Sequence, residues 1–489
     1  MGGIKVNDCL IQYFEWYLPP NCNLWNKVTG DVSHLANLGI NYIWLPPAYK
    51  GSSGANDVGY GVYDLYDLGE FDQKGSIPTK YGTKDEYLNA IRILKENNIK
   101  VLADIVLNHK LGADECEEVL AIQDDYENRN ISLTSAMPIK AWTKYTFPGR
   151  GDKYSSFKWD WTHFHGVDWD EETKRSSIFK FYGKKWDEEV DKEKGNFDYL
   201  MGADIDMNNN DVSNELIKWG KWYYEFTGVD GFRLDAVKHI RADFFPRWLE
   251  EIEEVSNRKI FSVGEYWTID VDIMKKYLEK TEYKMSLFDV PLHYNFFKAS
   301  ISNGEFNMSE IFDGTLVKEN SEKAVTFVDN HDTELGQALE SWVLDWFKPL
   351  AYSLILLRKE GLPCVFYGDY YGISEKGVSA KNDYLDKLLK VRKYFAYGEQ
   401  IDYFYDRNII GFIREGDYEH SDSGLAVVMS DKDGGTLVMN VGKKFADSIF
   451  YDYLGNVENK VHIDLEGNGN FSCNGGSVSV WIKEGGYVN

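Results

Sequence analysis

The sequence predicts an α/β protein built on a (β/α)8 TIM barrel, with a β-rich subdomain inserted after strand 3 and a C-terminal antiparallel β-sandwich. Three observations support this fold class. Eight short apolar runs alternate with helical patterns along much of the 489-residue chain. A segment of about a hundred residues interrupts the alternation. Near its end the chain changes to strands with alternating apolar and polar residues.

The eight runs are rich in β-branched and aromatic residues, which favour strands, and helix-like segments separate them. A strand followed by a helix and a parallel strand is the βαβ unit. Because eight such strands close a barrel, we prefer a barrel to an open doubly wound sheet. At 243–257, the apolar residues at helical spacing are Phe244, Trp248, Ile252 and Val255. The runs are 9–17, 40–49, 101–109, 229–237, 260–267, 285–292, 324–332 and 363–369.

Two segments depart from the barrel pattern and define the predicted domains. From Lys110 to Asn209 the sequence is rich in Trp, Tyr, Asp and Gly and is too long for a plain loop. After Ala396, alternating apolar stretches separated by Gly, Asp and Asn indicate antiparallel strands. We therefore assign 1–109 and 210–396 to the barrel, 110–209 to the insertion and 397–489 to the C-terminal domain.

Composition limits the classes of partner. Acidic residues outnumber basic ones by 79 to 54, and the net charge of −25 disfavours nucleic acid and anionic membranes. No apolar run is long enough to span a bilayer, and MGGIKVNDCL has no signal-peptide core. We expect a cytoplasmic protein, although a trimmed secreted chain would look the same. The five scattered cysteines form no CxxC pair, so neither a disulfide framework nor a zinc site is indicated.

Polar residues stand at the carboxyl ends of four predicted strands, where barrel enzymes carry their catalytic groups. An acid after a strand is usually a turn residue or a helix cap. Four ends with the same polarity, three of which supply a carboxylate, favour a catalytic mouth instead. The residues are Asn108 and His109 after strand 3, Arg233 and Asp235 on strand 4, Glu265 after strand 5, and Asp329, Asn330, His331 and Asp332 after strand 7.

These strand ends resemble the four signature regions of the α-amylase family of glycoside hydrolases (family 13). The resemblance covers the whole chain and is closest to liquefying bacterial α-amylases and their intracellular relatives. It implies an enzyme that cleaves internal α-1,4-glucosidic bonds in starch, glycogen or maltodextrin, with retention through a glycosyl-enzyme. We expect a monomer, although the sequence does not disclose the oligomeric state. A transglycosylase, an exo-acting relative and a catalytically silent carbohydrate-binding homologue are the alternatives. The segments are DIVLNH (104–109), GFRLDAVKH (231–239), GEYW (264–267) and FVDNHD (327–332), supported by QYFEWYLP (12–19), PPAYKG (46–51), VGYGVYDLYDLGEF (58–71), FDYLMGADIDM (197–207) and FDVPLHYNF (288–296).

The resemblance assigns Asp235 as nucleophile, Glu265 as general acid/base, and Asp332 as the group that binds sugar hydroxyls and stabilises the transition state. Retaining glycosidases need two carboxylic groups with different proton occupancy. Arg233, two residues before Asp235, should keep it ionised, whereas Glu265 must be protonated. The implied substrate-binding residues are Tyr60, His109, Arg233, Lys238, His239, Trp267 and His331.

The resemblance also implies Ca²⁺ as cofactor, in a site that ties the insertion to the barrel. Calcium prefers six to eight oxygen ligands, which carboxylates, amides and backbone carbonyls supply. The implied ligands are Asn108, Asp198, Asp204 and the backbone carbonyl of His239.

The sequence departs from its closest relatives at a neighbouring two-metal cluster. Asp187 and Asp206 match acidic positions there, but His165 and Asn208 stand where relatives have aspartates. We expect this extra site to be weak or absent, because two anionic ligands are lost. We expect a further site, between the barrel and the C-terminal domain, to be weak or absent as well, since Arg407 and Asn408 replace a His-Asp pair.

Overall fold

In a computed structural model, which describes residues 7–486, eight parallel strands form a closed barrel. Each strand pairs with its neighbours in chain order, and the first closes on the eighth with Leu10 opposite Cys364. The predicted (β/α)8 barrel is therefore confirmed. Its strands are Leu10–Gln12, Tyr42–Leu45, Lys100–Ile105, Gly231–Leu234, Phe261–Gly264, Ser286–Phe288, Ala324–Phe327 and Leu362–Phe366.

Helices follow the barrel strands. At the start of Lys84–Glu96, the Thr83 side chain accepts from the Glu86 N–H and the Glu86 carboxylate accepts from the Thr83 N–H, a capping box. Val255 is 43% exposed, unlike the other predicted apolar positions of its helix, because it lies in the last turn. No helix within 7–486 is long and apolar enough to cross a membrane. The helices are Leu24–Leu38, Lys84–Glu96, Asn210–Thr227, Phe244–Ser256, Val271–Lys280, Val290–Ile301, Leu316–Glu319, Lys348–Leu357, Tyr367–Tyr371 and Asn382–Phe395.

The segment after the third barrel strand forms a six-stranded antiparallel sheet. Its outermost strand, His109–Lys110, follows the third barrel strand closely and pairs with the returning strand Ala203–Ile205. Asp204 therefore lies opposite His109, beside the carboxyl end of the barrel. In spatial order the strands are His109–Lys110, Ala203–Ile205, Phe164–Asp170, Arg175–Phe181, Glu115–Asp124 and Met137–Lys144.

The C-terminal part of the chain forms two antiparallel sheets around a separate core, which confirms the predicted sandwich. Phe450, Phe471 and Trp481 are buried in this core. All five cysteines are free thiols. The boundaries proposed at 109/110, 209/210 and 396/397 remain predictions. One sheet contains Gln400–Tyr403, Ile409–Arg414, Leu425–Ser430, Ser477–Lys483, Ile449–Asp452 and Val461–His462, and the other contains Gly434–Asn440 and Asn468–Asn474.

Candidate active site and metal centre

Arg233 lies fully buried at the carboxyl end of the barrel. Its Nη1 donates to Asp235 Oδ1 at 2.5 Å, and its Nη2 lies 3.6 Å from Glu265 Oε2. Asp235 directly follows the fourth strand, and its N–H still donates to the Ile105 carbonyl of the third strand at 2.9 Å. Because residues two apart in an extended chain point to the same side, this continuation places Arg233 beside Asp235. The structure thus brings two of the three carboxyl groups predicted for catalysis, those of Asp235 and Glu265, to one guanidinium.

Glu265 is strongly affected by its surroundings. Burial raises the pKa of its carboxyl to about 8. The carboxylates of Asp235 and Asp332 raise this pKa as well, whereas Arg233 lowers it. The Ala236 N–H donates to Glu265 Oε2 at 2.8 Å, and a left-handed backbone at Ala236 (φ 49°) turns the chain directly after Asp235. Glu265 is therefore protonated at neutral pH.

Asp332 comes from the loop after the seventh strand, and its side chain is 27% exposed. Burial raises the pKa of its carboxyl to about 7. His331 Nε2 lies 3.3 Å from Asp332 Oδ2, while the Gln12 amide donates to His331 Nδ1 at 3.0 Å. Burial lowers the pKa of His331 well below its usual value, so this ring is neutral with its proton on Nε2, facing Asp332.

Three aromatic rings lie parallel at the barrel mouth. Tyr60 stacks on His331 with centroids 5.1 Å apart, and Trp16 lies 6.0 Å from Tyr60 at an interplanar angle of 4°. His109 Nε2 is 2.9 Å from the Tyr60 carbonyl, so it donates to that oxygen. His331 is buried, but Trp16 and Tyr60 are partly exposed and offer a flat surface on which a sugar ring can pack.

The sequence did not identify Asp104 and Trp16 as site residues, although they lie in the segments DIVLNH (104–109) and QYFEWYLP (12–19). Asp104 is fully buried on the third strand. A buried carboxylate needs several hydrogen-bond donors, so an acid inside an apolar run was the available signal. The donors are Arg233 Nη1 at 3.0 Å, Trp44 Nε1 at 2.9 Å and the Tyr60 hydroxyl at 2.8 Å.

The residues after Asp235 line another part of the mouth. Lys238 Nζ lies 2.9 Å from Glu193 Oε2 and donates to the Trp267 carbonyl at 3.1 Å. The Trp267 side chain is half-buried. His239 Nδ1 donates to the Phe197 carbonyl at 2.7 Å, and burial lowers the pKa of this histidine to about 3. Lys238 and Trp267 are therefore neighbours, whereas His239 contacts the insertion.

Buried oxygen ligands converge where the insertion meets the barrel. Asp198 and Asp204 are 3% and 1% exposed, and the buried Asn108 side chain has an amide nitrogen without a hydrogen-bond partner within 7–486. Burial raises the pKa of Asp204 well above its usual value, and the Asp198 carboxylate adds to this effect. Two carboxylates and an amide oxygen are ligands that calcium prefers. The residues therefore fit a bound cation, which would offset their mutual repulsion.

His165 lies inside this carboxylate cluster and is 1% exposed. Burial alone would lower its pKa, but the neighbouring carboxylates raise it well above the usual value. Burial also raises the pKa of Asp187 to about 6. The oxygens nearest to the His165 ring are Asp204 Oδ2 at 2.9 Å and Asp198 Oδ2 at 3.1 Å from Nδ1, and Asp206 Oδ1 at 3.1 Å from Nε2.

Comparison with known proteins gives concordant matches along the chain. Residues 24–398 match the family model "Alpha amylase, catalytic domain", and 432–482 match "Alpha-amylase C-terminal". An alpha-amylase of Geobacillus stearothermophilus is 54% identical over 478 residues, which cover 97% of this chain and 87% of the relative. The cytoplasmic alpha-amylase of Escherichia coli (strain K12) is 45% identical over 98% of this chain and 99% of its own length.

Two further likenesses concern specificity and fold. A glucan 1,4-alpha-maltohexaosidase of Bacillus sp. (strain 707) is 51% identical over 98% of this chain and 93% of the relative. Among solved structures, an Anoxybacillus alpha-amylase aligns with a TM-score of 0.62 and 16% identity, covering 98% of this chain and 96% of that chain. At this identity the structural match concerns the fold alone.

Proposed function

Because the chain belongs to the alpha-amylase family of glycoside hydrolases, we propose that it is an endo-acting α-amylase. It hydrolyses internal α-1,4-glucosidic bonds of starch, glycogen and maltodextrins with retention of anomeric configuration. One observation carries the proposal: Asp235 and Glu265 contact the same buried guanidinium of Arg233, and burial holds Glu265 protonated. This pairing supplies a nucleophile and an acid to a single glycosidic bond.

In the first step, a carboxylate oxygen of Asp235 attacks the anomeric carbon. Arg233 binds Oδ1 and orients the carboxylate. Glu265 donates its proton to the glycosidic oxygen, so the leaving chain departs as an alcohol and a glycosyl ester forms on Asp235. Asp332 and His331 hold the hydroxyl groups of the reacting glucose, while Tyr60 packs against its ring.

In the second step, Glu265 acts as a base. Having lost its proton, it takes one from a water molecule, whose oxygen attacks the anomeric carbon and releases Asp235. Two displacements at the same carbon retain its configuration. His109 completes the subsite of the reacting glucose, whereas Lys238 and His239 act on the leaving-group side. Trp267 supplies a stacking surface near the mouth.

We propose calcium as the structural cofactor, held by Asn108, Asp198, Asp204 and the His239 carbonyl. The ion supplies positive charge to buried carboxylates and joins the insertion to the barrel. Asp204 pairs with His109 in the sheet, so holding Asp204 also holds a substrate-binding histidine. Asp187 and Asp206 are two additional candidate ligands beside this set.

We further propose a cytoplasmic monomer. The E. coli relative named cytoplasmic alpha-amylase supports this location. Residues 1–6 of the segment MGGIKVNDCL lie outside the described residues.

The second candidate is an exo-acting enzyme that releases one product size, which the relative named maltohexaosidase favours. A time course of products from amylose and glycogen distinguishes the two. An early mixture of linear oligosaccharides, together with a rapid fall in polymer length, supports endo-hydrolysis. A single product size would instead indicate exo-action, and cyclic products would indicate transglycosylation. A zero rate in the presence of calcium would indicate a catalytically silent homologue. The Asp235→Asn protein is the matched blank.

A further inference from the structure

The loop after the first barrel strand and the loop after the seventh are joined by hydrogen bonds at the barrel mouth. Glu334 Oε1 accepts from the Trp16 N–H at 2.8 Å, and the Tyr17 hydroxyl donates to the Leu335 carbonyl at 2.9 Å. The first loop carries Trp16 and the second carries His331, whose rings lie parallel with centroids 6.2 Å apart. These contacts therefore determine where the Trp16 ring lies relative to the proposed sugar-binding groups.

Glu334 is buried between the two loops, and one of its oxygens lacks a partner. The residue is 0% exposed, and Oε2 has no hydrogen-bond partner among residues 7–486. Glu15, which is 4% exposed, accepts from the Tyr17 N–H at 2.5 Å. A buried carboxylate needs several donors or a cation, but within the described chain the Glu334 side chain has only the Trp16 N–H. The geometry therefore favours a neutral acid at Glu334.

The charged groups around Glu334 are mostly acidic. Burial, followed by the Glu15 carboxylate, raises the pKa of Glu334 to about 9, and burial raises the pKa of Glu15 to about 7. Lys80, whose Nζ donates to the Trp16 carbonyl at 3.3 Å, is a cation that acts on both acids. The other charged groups facing these residues are Asp329 and Asp332 on the loop of Glu334, Asp57 near Lys80, and Glu375 and Lys376 after the eighth strand.

We propose that Glu334, as a neutral acid, is a positioning residue that holds the Trp16 ring against bound glucan, and that loss of its proton weakens glucan binding. Ionised Glu334 would place a second negative charge beside Glu15, away from water. Outward movement of the turn that contains Trp16 would relieve the repulsion, because the Trp16 N–H attaches this turn to Glu334. The Trp16 ring would then no longer lie parallel to Tyr60 and His331. This role rests on the proposed function, which supplies the glucan.

Binding of maltoheptaose tests this role in an Asp235→Asn background, which prevents turnover. Calorimetry with calcium present gives the Kd at pH 7 and at pH 10, on either side of the pKa of Glu334. The ratio of Kd at pH 10 to Kd at pH 7 should be at least about 5-fold larger in this background than after the added change Glu334→Gln. The amide cannot ionise and still accepts from the Trp16 N–H. Glu265 and Asp332 titrate in both proteins, so their contribution cancels.

Two further variants in the same background separate this role from a general effect of the loop. Glu340→Gln changes an exposed acid of the same loop and should leave the ratio unchanged. Trp16→Ala should lower the ratio, and adding Glu334→Gln to it should have no further effect, because the ring that Glu334 positions is gone.

Three results would overturn the proposal. The first is an equal ratio with and without Glu334→Gln, and the second is an effect of Glu334→Gln that persists in Trp16→Ala. If Glu334→Gln does not fold, Trp16→Ala decides: a lower ratio than in Asp235→Asn alone supports the proposal, and an equal ratio is the third result against it. Absence of binding at pH 7 in all of these proteins would refute the proposed function and this role with it.

Discussion

Replacing Glu265 with glutamine should abolish hydrolysis and stabilise the folded protein. The amide keeps the shape of the side chain but has no proton to donate to a leaving group. It also removes a carboxyl group that folding buries among Asp235 and Asp332. Loss of activity with a gain in stability distinguishes a strained catalytic acid from a residue that the fold requires.

The size of the gain follows from the pKa. Burial raises the pKa of Glu265 from 4.5 to about 8 on folding. A group whose pKa is raised by folding contributes stability that is fully present below its unfolded pKa and lost as pH rises through its folded pKa. At about 1.4 kcal/mol per pKa unit, the loss between pH 4.5 and 8 amounts to about 5 kcal/mol. The glutamine variant has no carboxyl group at position 265 and does not lose this stability. Its free energy of unfolding therefore exceeds that of the wild type by an amount that grows with pH over that range.

Chemical denaturation at pH 5 and pH 9, with calcium present, measures the effect. The free energy of unfolding of Glu265→Gln minus that of the wild type should be more positive at pH 9 than at pH 5, by about 3–5 kcal/mol. Glu254→Gln, at an exposed helix position, is the matched control and should show no such change with pH. A difference that does not vary with pH, or a variant less stable than wild type at pH 9, would refute the reasoning.

Asp235→Asn should lower kcat by at least about 10⁴-fold because no glycosyl ester forms, and initial rates on amylose would reveal any smaller loss. The kcat/KM of the wild type should fall on the alkaline side with an apparent pKa near 8, because Glu265 must be protonated. An alkaline fall in kcat/KM centred near pH 5 instead of pH 8 would contradict this. Asp104→Asn should reduce kcat about 10–100-fold with a smaller change in KM, since Asp104 positions Arg233; steady-state kinetics separates the two. Dialysed protein should retain one tightly bound calcium, and chelation should lower both activity and unfolding temperature, whereas Asp198→Asn should bind calcium weakly. Elemental analysis and thermal unfolding with and without chelator check this, and two or more tightly bound calcium ions would contradict it.

The polar residues at strand ends could be predicted because chain order and strand periodicity determine which side chains reach the mouth. Asp235 follows the fourth strand and Glu265 the fifth, and parallel strands bring both to one end. The role of Asp104 depends on register, since it lies directly opposite Arg233 in the paired third and fourth strands. Register between strands more than a hundred residues apart is a tertiary property that a single sequence does not reveal.

The substituted metal positions show a second limit of the same kind. Loss of an aspartate at Asn408 predicted a weak site beside the C-terminal domain. In the structure, Asn408 Nδ2 donates to the Gly304 carbonyl at 2.7 Å and to Asp431 Oδ1 at 2.8 Å. The amide thus joins the oxygens of two segments directly. The sequence indicated that an aspartate is lost at position 408. Only the packing reveals that the Asn408 amide contacts Gly304 and Asp431.

Closure of the barrel also constrains when activity arises during synthesis. Strand Leu10–Gln12 pairs with Leu362–Phe366, so the barrel wall is completed by a contact spanning most of the chain. At about 5–20 residues per second, these partners leave the ribosome tens of seconds apart. The mouth that holds Asp235 and Glu265 stays unclosed throughout that interval. A nascent glucan hydrolase built this way remains inert until its eighth strand emerges, so chains truncated before Phe366 should release no sugar.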